Sequence, residues 1–96
     1  LTNLANMIRE NENLILNING HTDSVGDATY NMNLSQKRAL SIANFLVTQG
    51  VERNRMKCFG YGSKFPVATD STAAGREQNR RVEFQISEKQ PGTNEK

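Results

Sequence analysis

Between Leu14 and Gly50 the hydropathy pattern changes period once, and that change restricts the fold more than any other feature of the chain. Leu14, Leu16 and Ile18 alternate with Ile15, Asn17 and Asn19, the period of a strand with one apolar face and one mixed face. Gly20 ends the alternation. From about Ala28 to Gln49 the pattern is helical: Leu34, Ile42, Phe45 and Leu46 share a face, flanked by Ala39 and Ala43. Asp27 has the chemistry of a helix N-cap. Gly50 stands where a helix-ending glycine belongs, with Val51 placed for the apolar contact that accompanies it.

Weaker signals flank this strand and helix. Leu1, Leu4, Ala5 and Ile8 recur at helical spacing and predict a short first helix, followed by a polar loop over 10–13. Met56, Cys58 and the run Phe59-Gly60-Tyr61-Gly62 predict a second strand that ends in glycines. Residues 63–73 read as a loop, Gly75 to Arg80 as a helical turn, and Val82, Phe84 and Ile86 as the apolar face of a third strand. Residues 88–96 are polar, contain Pro91-Gly92 and read as a disordered tail. The order α-β-α-β-turn-β predicts a two-layer α/β (α+β) sandwich with helices over one face of a small sheet. The expected organisation is one domain over 1–87 and a tail over 88–96.

Size supports a single domain. The chain has 96 residues, only 35% of them hydrophobic, so one small core is all it can build. No stretch approaches the roughly 20 apolar residues of a membrane-spanning helix. The chain begins at Leu1 without a methionine, as expected of an excised domain or a processed product. A net charge of +2 is too mild to argue for nucleic acid. The single cysteine, Cys58, excludes an internal disulfide, and its register with Met56 predicts a buried, inert thiol.

Two residues stand out. Arg38 lies four positions after Leu34 and four before Ile42, inside the apolar stripe, so its stem must be buried and its head must find an anion. The plain reading is an arginine snorkelling at the stripe edge, or a structural ion pair. Asp23 lies in the strand-to-helix connection, where open α/β folds place ligand groups. Its plain reading is a turn aspartate bonded to its own backbone. Together, a carboxylate before the helix and a guanidinium on its inner face would suit a zwitterion, one receiving an ammonium and the other forking a carboxylate.

Other candidates carry less. Arg76, Arg80 and Arg81 form a basic cluster before the last strand, read as a solvated patch or as a source of a second cation for an anionic ligand. A nucleic-acid site on that cluster is the rival reading, although it lacks interleaved aromatics. His21, Asp23 and Asp27 offer three metal ligands without signature spacing, so no metal and no cofactor are expected. A Cys-His nucleophile would require Cys58 and His21 to meet, and no nucleophile elbow or phosphate loop is present. A peptidoglycan hydrolase is the second rival, and catalysis is not expected.

The run Gly20-His21-Thr22-Asp23-Ser24-Val25-Gly26 is followed by Asn31, Leu34-Ser35 and Arg38-Ala39. Further on stand Gly60-Tyr61-Gly62, Pro66, Gly75-Arg76 and Asn79-Arg80-Arg81-Val82-Glu83-Phe84. Over Leu1 to Ile86 this resembles the OmpA C-terminal-like family, the peptidoglycan-binding domains of outer-membrane proteins, peptidoglycan-associated lipoproteins and flagellar stator proteins. The resemblance implies a βαβαβ fold on a mixed sheet, with the family's first strand missing from this chain. It implies a non-catalytic domain in the periplasm of a Gram-negative cell, part of an outer-membrane or envelope protein that it anchors to the cell wall. The implied ligand is the peptidoglycan stem peptide at its meso-diaminopimelate. The family's anchoring aspartate matches Asp23 and its anchoring arginine matches Arg38. Asn31, Arg80, Thr22, Ser24 and Val25 are implied as further site residues, with the backbone of the 24–26 turn expected to contact the ligand's carboxylate. The missing strand leaves a sheet edge that a second copy would fill, hence an expected homodimer as one outcome.

Overall fold

The computed structural model describes residues 1–89, folded as three α-helices and a three-stranded sheet. In chain order these are α1 (Thr2–Glu10), β1 (Leu14–His21), α2 (Ala28–Thr48), β2 (Met56–Gly60), α3 (Ala73–Asn79) and β3 (Arg81–Glu88), with a 3₁₀ turn over Arg53–Arg55 before β2. The sheet order is β2-β1-β3. β1 and β2 run parallel, and α2 is the crossover that parallel neighbours require. β3 is antiparallel to β1, so the sheet is mixed, as expected.

Strand alternation sorts the side chains. Leu16, Ile18 and Gly20 pair across to Met56, Cys58 and Gly60 on one side and to Ile86, Phe84 and Val82 on the other. This face meets the helices. Its centre is a core of Leu16 and Ile18 with Ala5 and Ile8 of α1, Ala39, Ala43 and Leu46 of α2, and Val51 and Met56. Each large aliphatic side chain buried there contributes about 1.5–3 kcal/mol. β3 is an edge strand, and Phe84 and Ile86 stay 37% and 45% exposed on it.

The buried stripe of α2 differs from expectation. It runs Asn31, Ser35, Ala39, Ala43, Leu46, while Leu34 and Ile42 are half-buried and Phe45 is exposed. The cause is backbone proximity. A Cβ on Gly20 would lie 2.1 Å from the Ser35 carbonyl oxygen, and one on Gly60 would lie 2.5 Å from the Gln36 nitrogen. A helix this close to two strand ends can present only small residues to them. Arg38 therefore borders the buried stripe instead of lying within it, and it is half-buried.

The ends of α2 follow the expected chemistry. Asp27 caps it, its carboxylate accepting from the Tyr30 amide at 2.8 Å. Gly50 takes φ +93°, its amide donating to Val47 O and the Val51 amide to Leu46 O, a Schellman ending with Val51 buried. Arg55 is buried as well, and its guanidinium donates to the carbonyls of Asn11 and Leu14, fastening the α1–β1 turn. Cys58 is half-buried where full burial was expected. Its thiol faces the Ala39 carbonyl at 3.7 Å, and burial raises its pKa. β3 reaches Glu88, and the Lys89 amide donates to Asn13 O. The remainder of the expected tail, residues 90–96, lies outside the described residues. No helix among the described residues is long and apolar enough to cross a membrane.

Candidate functional site

β1 delivers Thr22 and Asp23 to one end of the sheet, where both are buried. The Thr22 amide donates to Gly62 O at 2.9 Å, tying the turn after β1 to the turn after β2. Gly62 holds φ +59°, which only a glycine adopts readily, and its own amide donates to Ser35 Oγ at 3.0 Å. Ser35 thus joins α2 to the same end of the sheet.

Asp23 is the centre of this end. Its Oδ1 accepts from the Val25 amide at 3.0 Å, the turn bond foreseen for it. Its Oδ2 accepts from Arg80 Nη1 at 2.5 Å. The Asp23 side chain is 10% exposed, whereas that of Arg80 is 41% exposed. A carboxylate buried to this extent requires a cation, and Arg80 supplies it from the solvent side. Asn31, in the first turns of α2, donates from Nδ2 to Val25 O at 2.9 Å and fixes the far side of the 23–26 turn. Thr22 Oγ1 donates to Asp23 O. Ser24 and Val25 are exposed at the rim.

Arg80 is held in place by its neighbour. Asn79 is fully buried; its Oδ1 accepts from the Val67 and Ala68 amides, and its Nδ2 donates to Ala68 O and Asp70 Oδ1. The hydrogen-bonding groups of Ser24 and Asn79 beside Asp70 hold its carboxyl below the usual range. The 64–72 loop is therefore tied to the end of α3, with Asp70 near Ser24 of the Asp23 turn. Sequence reading quoted Asn79 only as part of a motif and missed Asp70. The available signal was an asparagine beside the Arg pair at a helix end, with an Asp-Ser-Thr run upstream that caps that helix through Thr72.

Of the predicted site residues, the structure brings together Asp23, Arg80, Asn31, Thr22, Ser24 and Val25. Arg38 sits on the flank of α2, with no ion pair among the described residues. The basic cluster is dispersed: Arg76 donates to Asp70 O, Arg80 to Asp23, and Arg81 to Glu83 and to the carbonyls of Asn79 and Phe65. His21, Asp23 and Asp27 do not converge, and no three His, Cys, Asp or Glu side chains cluster among the described residues. Cys58 faces α2 and His21 faces the opposite side of the sheet, so the two cannot form a nucleophile–base pair. His21 stacks on Tyr61, and its Nδ1 is buried without a hydrogen-bond partner among the described residues.

The OmpA family model matches residues 1–80. Over 87 residues the chain is 46% identical to the probable lipoprotein YiaD of Escherichia coli, covering 91% of this chain and 40% of that protein. It is 36% identical to the peptidoglycan-binding protein ArfA of Mycobacterium tuberculosis, covering 91% of this chain and 27% of the relative. The fold is that of the crystal structure of the peptidoglycan-associated lipoprotein from Burkholderia pseudomallei, with TM-score 0.86 and 30% identity over 90% of this chain and 73% of that one. The chain spans less than half the length of these curated relatives.

Proposed function

The chain belongs to the OmpA family, and we propose that this domain binds peptidoglycan non-covalently and anchors an envelope protein to the cell wall from the periplasmic side. The relatives named for peptidoglycan binding or association support that reading. The observation that carries it is the buried Asp23 carboxylate, whose one cationic partner among the described residues, Arg80, reaches it from the solvent side. An incoming ammonium has the same charge as Arg80 and can replace it at Oδ2 while the Val25 amide keeps Oδ1 in place. The displaced Arg80 then turns to the ligand's own carboxylates. Arg38, with no ion pair among the described residues, is available to fork one of them. A diaminopimelate side chain offers an ammonium and a carboxylate on one carbon, which is the ligand this arrangement suits. Binding of this kind needs no proton transfer.

Calorimetric titration with muropeptides bearing diaminopimelate or lysine tests the assignment. Each lost charge-assisted contact is worth about 1.5–3 kcal/mol, so Asp23→Ala and Arg38→Ala should each weaken binding at least about tenfold. Arg38→Lys should also weaken it, because an ammonium cannot fork a carboxylate. The lysine muropeptide, which lacks the terminal carboxylate, should bind poorly. Near-wild-type affinity in folded Asp23→Ala or Arg38→Ala would refute the site.

A further inference from the structure

The sheet face turned away from α2 carries a second surface. The alternation that sends Leu16, Ile18 and Gly20 to the helix sends Asn17, Asn19 and His21 the other way, with Lys57 and Phe59 of β2 and Glu83 and Gln85 of β3 beside them. Most of this face is polar, yet two aromatic rings stand out of it. Phe59 is 40% exposed and Phe65 is 55% exposed. They flank a stack: Phe59 and Tyr61 lie 6.2 Å apart at 27°, and Tyr61 lies over His21 at 5.5 Å and 18°. Phe65 closes the stack edge-on to Tyr61 at 5.4 Å.

The polar groups beside the rings have unused hydrogen-bonding capacity. Gln85 Oε1 accepts from Asn19 Nδ2 at 3.2 Å, and the Gln85 amide hydrogens have no partner among the described residues. Beneath the rings, Asn19 Oδ1 and His21 Nδ1 are buried and unpartnered. The side chains of Asn17 and Lys57 make no hydrogen bond among the described residues. Charge on the strands of this face is low: Arg81 and Glu83 neutralise one another at 2.6 Å, which leaves Lys57 as the ion among the paired strand residues here.

Partly exposed aromatic rings bordered by neutral amides select for a ligand that is apolar on one face, rich in hydroxyl or acetamido groups at its edge, and uncharged. A nucleic acid would require more cations than Lys57, and an apolar protein partner would leave the amides unpaired. A pyranose meets all three requirements, its C–H face against a ring and its edge groups on the amides. Along the chain this face leads into the Asp23 site, since His21 precedes Thr22 and Asp23, and Arg81 follows Arg80. We propose that the open face of the sheet docks the N-acetylated amino-sugar strand of the wall polymer whose stem peptide enters the Asp23–Arg38 pocket. The proposal rests on that reading of the pocket.

Two separate ligands test the two surfaces separately. N-acetylglucosamine hexasaccharide and a sugar-free stem peptide containing diaminopimelate are titrated into the whole chain, followed by amide NMR shifts. The hexasaccharide should move the amides of Asn17, Asn19, Phe59 and Gln85. Phe59→Ala should weaken its binding about fivefold or more and leave the stem peptide unaffected. Gln85→Ala, on an exposed position, should weaken the hexasaccharide in the same sense and guards against a fold defect in Phe59→Ala. Asp23→Ala should do the reverse. An absence of shifts on this face, equal affinity in both Phe59→Ala and Gln85→Ala, or shifts produced by single-stranded polynucleotide but not by the sugar would overturn the proposal. Failure of the stem peptide alone, with the hexasaccharide binding as expected, would count only against the pocket.

Discussion

Arg80 and Asp23 form an ion pair at 2.5 Å across fifty-seven residues of sequence, closing the end of the sheet where β1 leaves and β3 begins. The pair is asymmetric. The carboxylate is buried and held by a backbone amide, while the guanidinium reaches it from a side chain that is 41% exposed. The fold therefore fixes the anion and leaves the cation exchangeable.

That asymmetry sets the energetics of the pair. A double-mutant cycle on Asp23→Ala and Arg80→Ala should give a coupling within the roughly 0.5–3 kcal/mol range of contacting charges, and screening at Arg80 places it in the lower half. Arg80→Ala alone should destabilise, because Asp23 is left buried without a cation. Urea melts of the four proteins measure this, and additivity of the two single changes would contradict the pairing.

Gly20 limits how closely α2 packs. A Cβ there would stand 2.1 Å from the Ser35 carbonyl, a backbone atom that no rotamer change can move. Gly20→Ala should cost about 1–3 kcal/mol or more through overpacking. It should also disturb the site, because Ser35 Oγ holds the Gly62 amide. Thermal melts give the first effect, and amide shifts at Thr22 and Gly62 give the second.

Asn79 links α3 to the loop before it through four side-chain hydrogen bonds. Asn79→Ala removes all four and leaves the Val67 and Ala68 amides without their acceptor. Both bonds are only part-buried, so each lost acceptor costs towards the lower end of about 1–3 kcal/mol. Hydrogen exchange at Val67 and Ala68 should accelerate more than exchange in the core strand at Leu16 and Ile18. Equal acceleration at both places would mean global destabilisation and would remove the loop-tethering role.

The element order, the strand faces, both ends of α2 and the position of Asp23 were all legible in the sequence, because each depends on local periodicity or capping chemistry. The buried face of α2 was not. Reading Leu34, Ile42 and Phe45 as the stripe favours large apolar residues, whereas the true seam of Asn31, Ser35, Ala39 and Ala43 is set by Gly20 and Gly60 approaching from other elements. The same error put Arg38 inside the core. The Arg80–Asp23 pair and the Asn79–Asp70 tether join positions far apart in the chain, and no local pattern encodes such a meeting. Arg55, which no pattern in the sequence singles out, is buried with its guanidinium donating to the carbonyls of Asn11 and Leu14, another meeting of positions far apart in the chain.

His21 gives the fold a pH dependence of known sign. It is the only histidine and is buried on the open sheet face against Tyr61. Burial lowers its pKa below the ordinary 6.5, and Arg81 adds to the lowering; Glu83, 3.9 Å away, opposes both. Below about pH 6.5 the unfolded chain binds a proton that the folded chain resists, so protonation favours unfolding. Stability from this group is complete above pH 6.5 and is lost as the pH falls towards the depressed folded pKa, with a slope no steeper than about 1.4 kcal/mol per pH unit. His21→Phe keeps a ring against Tyr61 and removes the titration. Urea melts at pH 7.5 and 5.5 should show the wild type losing stability at the lower pH and the variant losing less. Wild-type stability that is flat or rising over that interval would mean the imidazole is not buried in its neutral form.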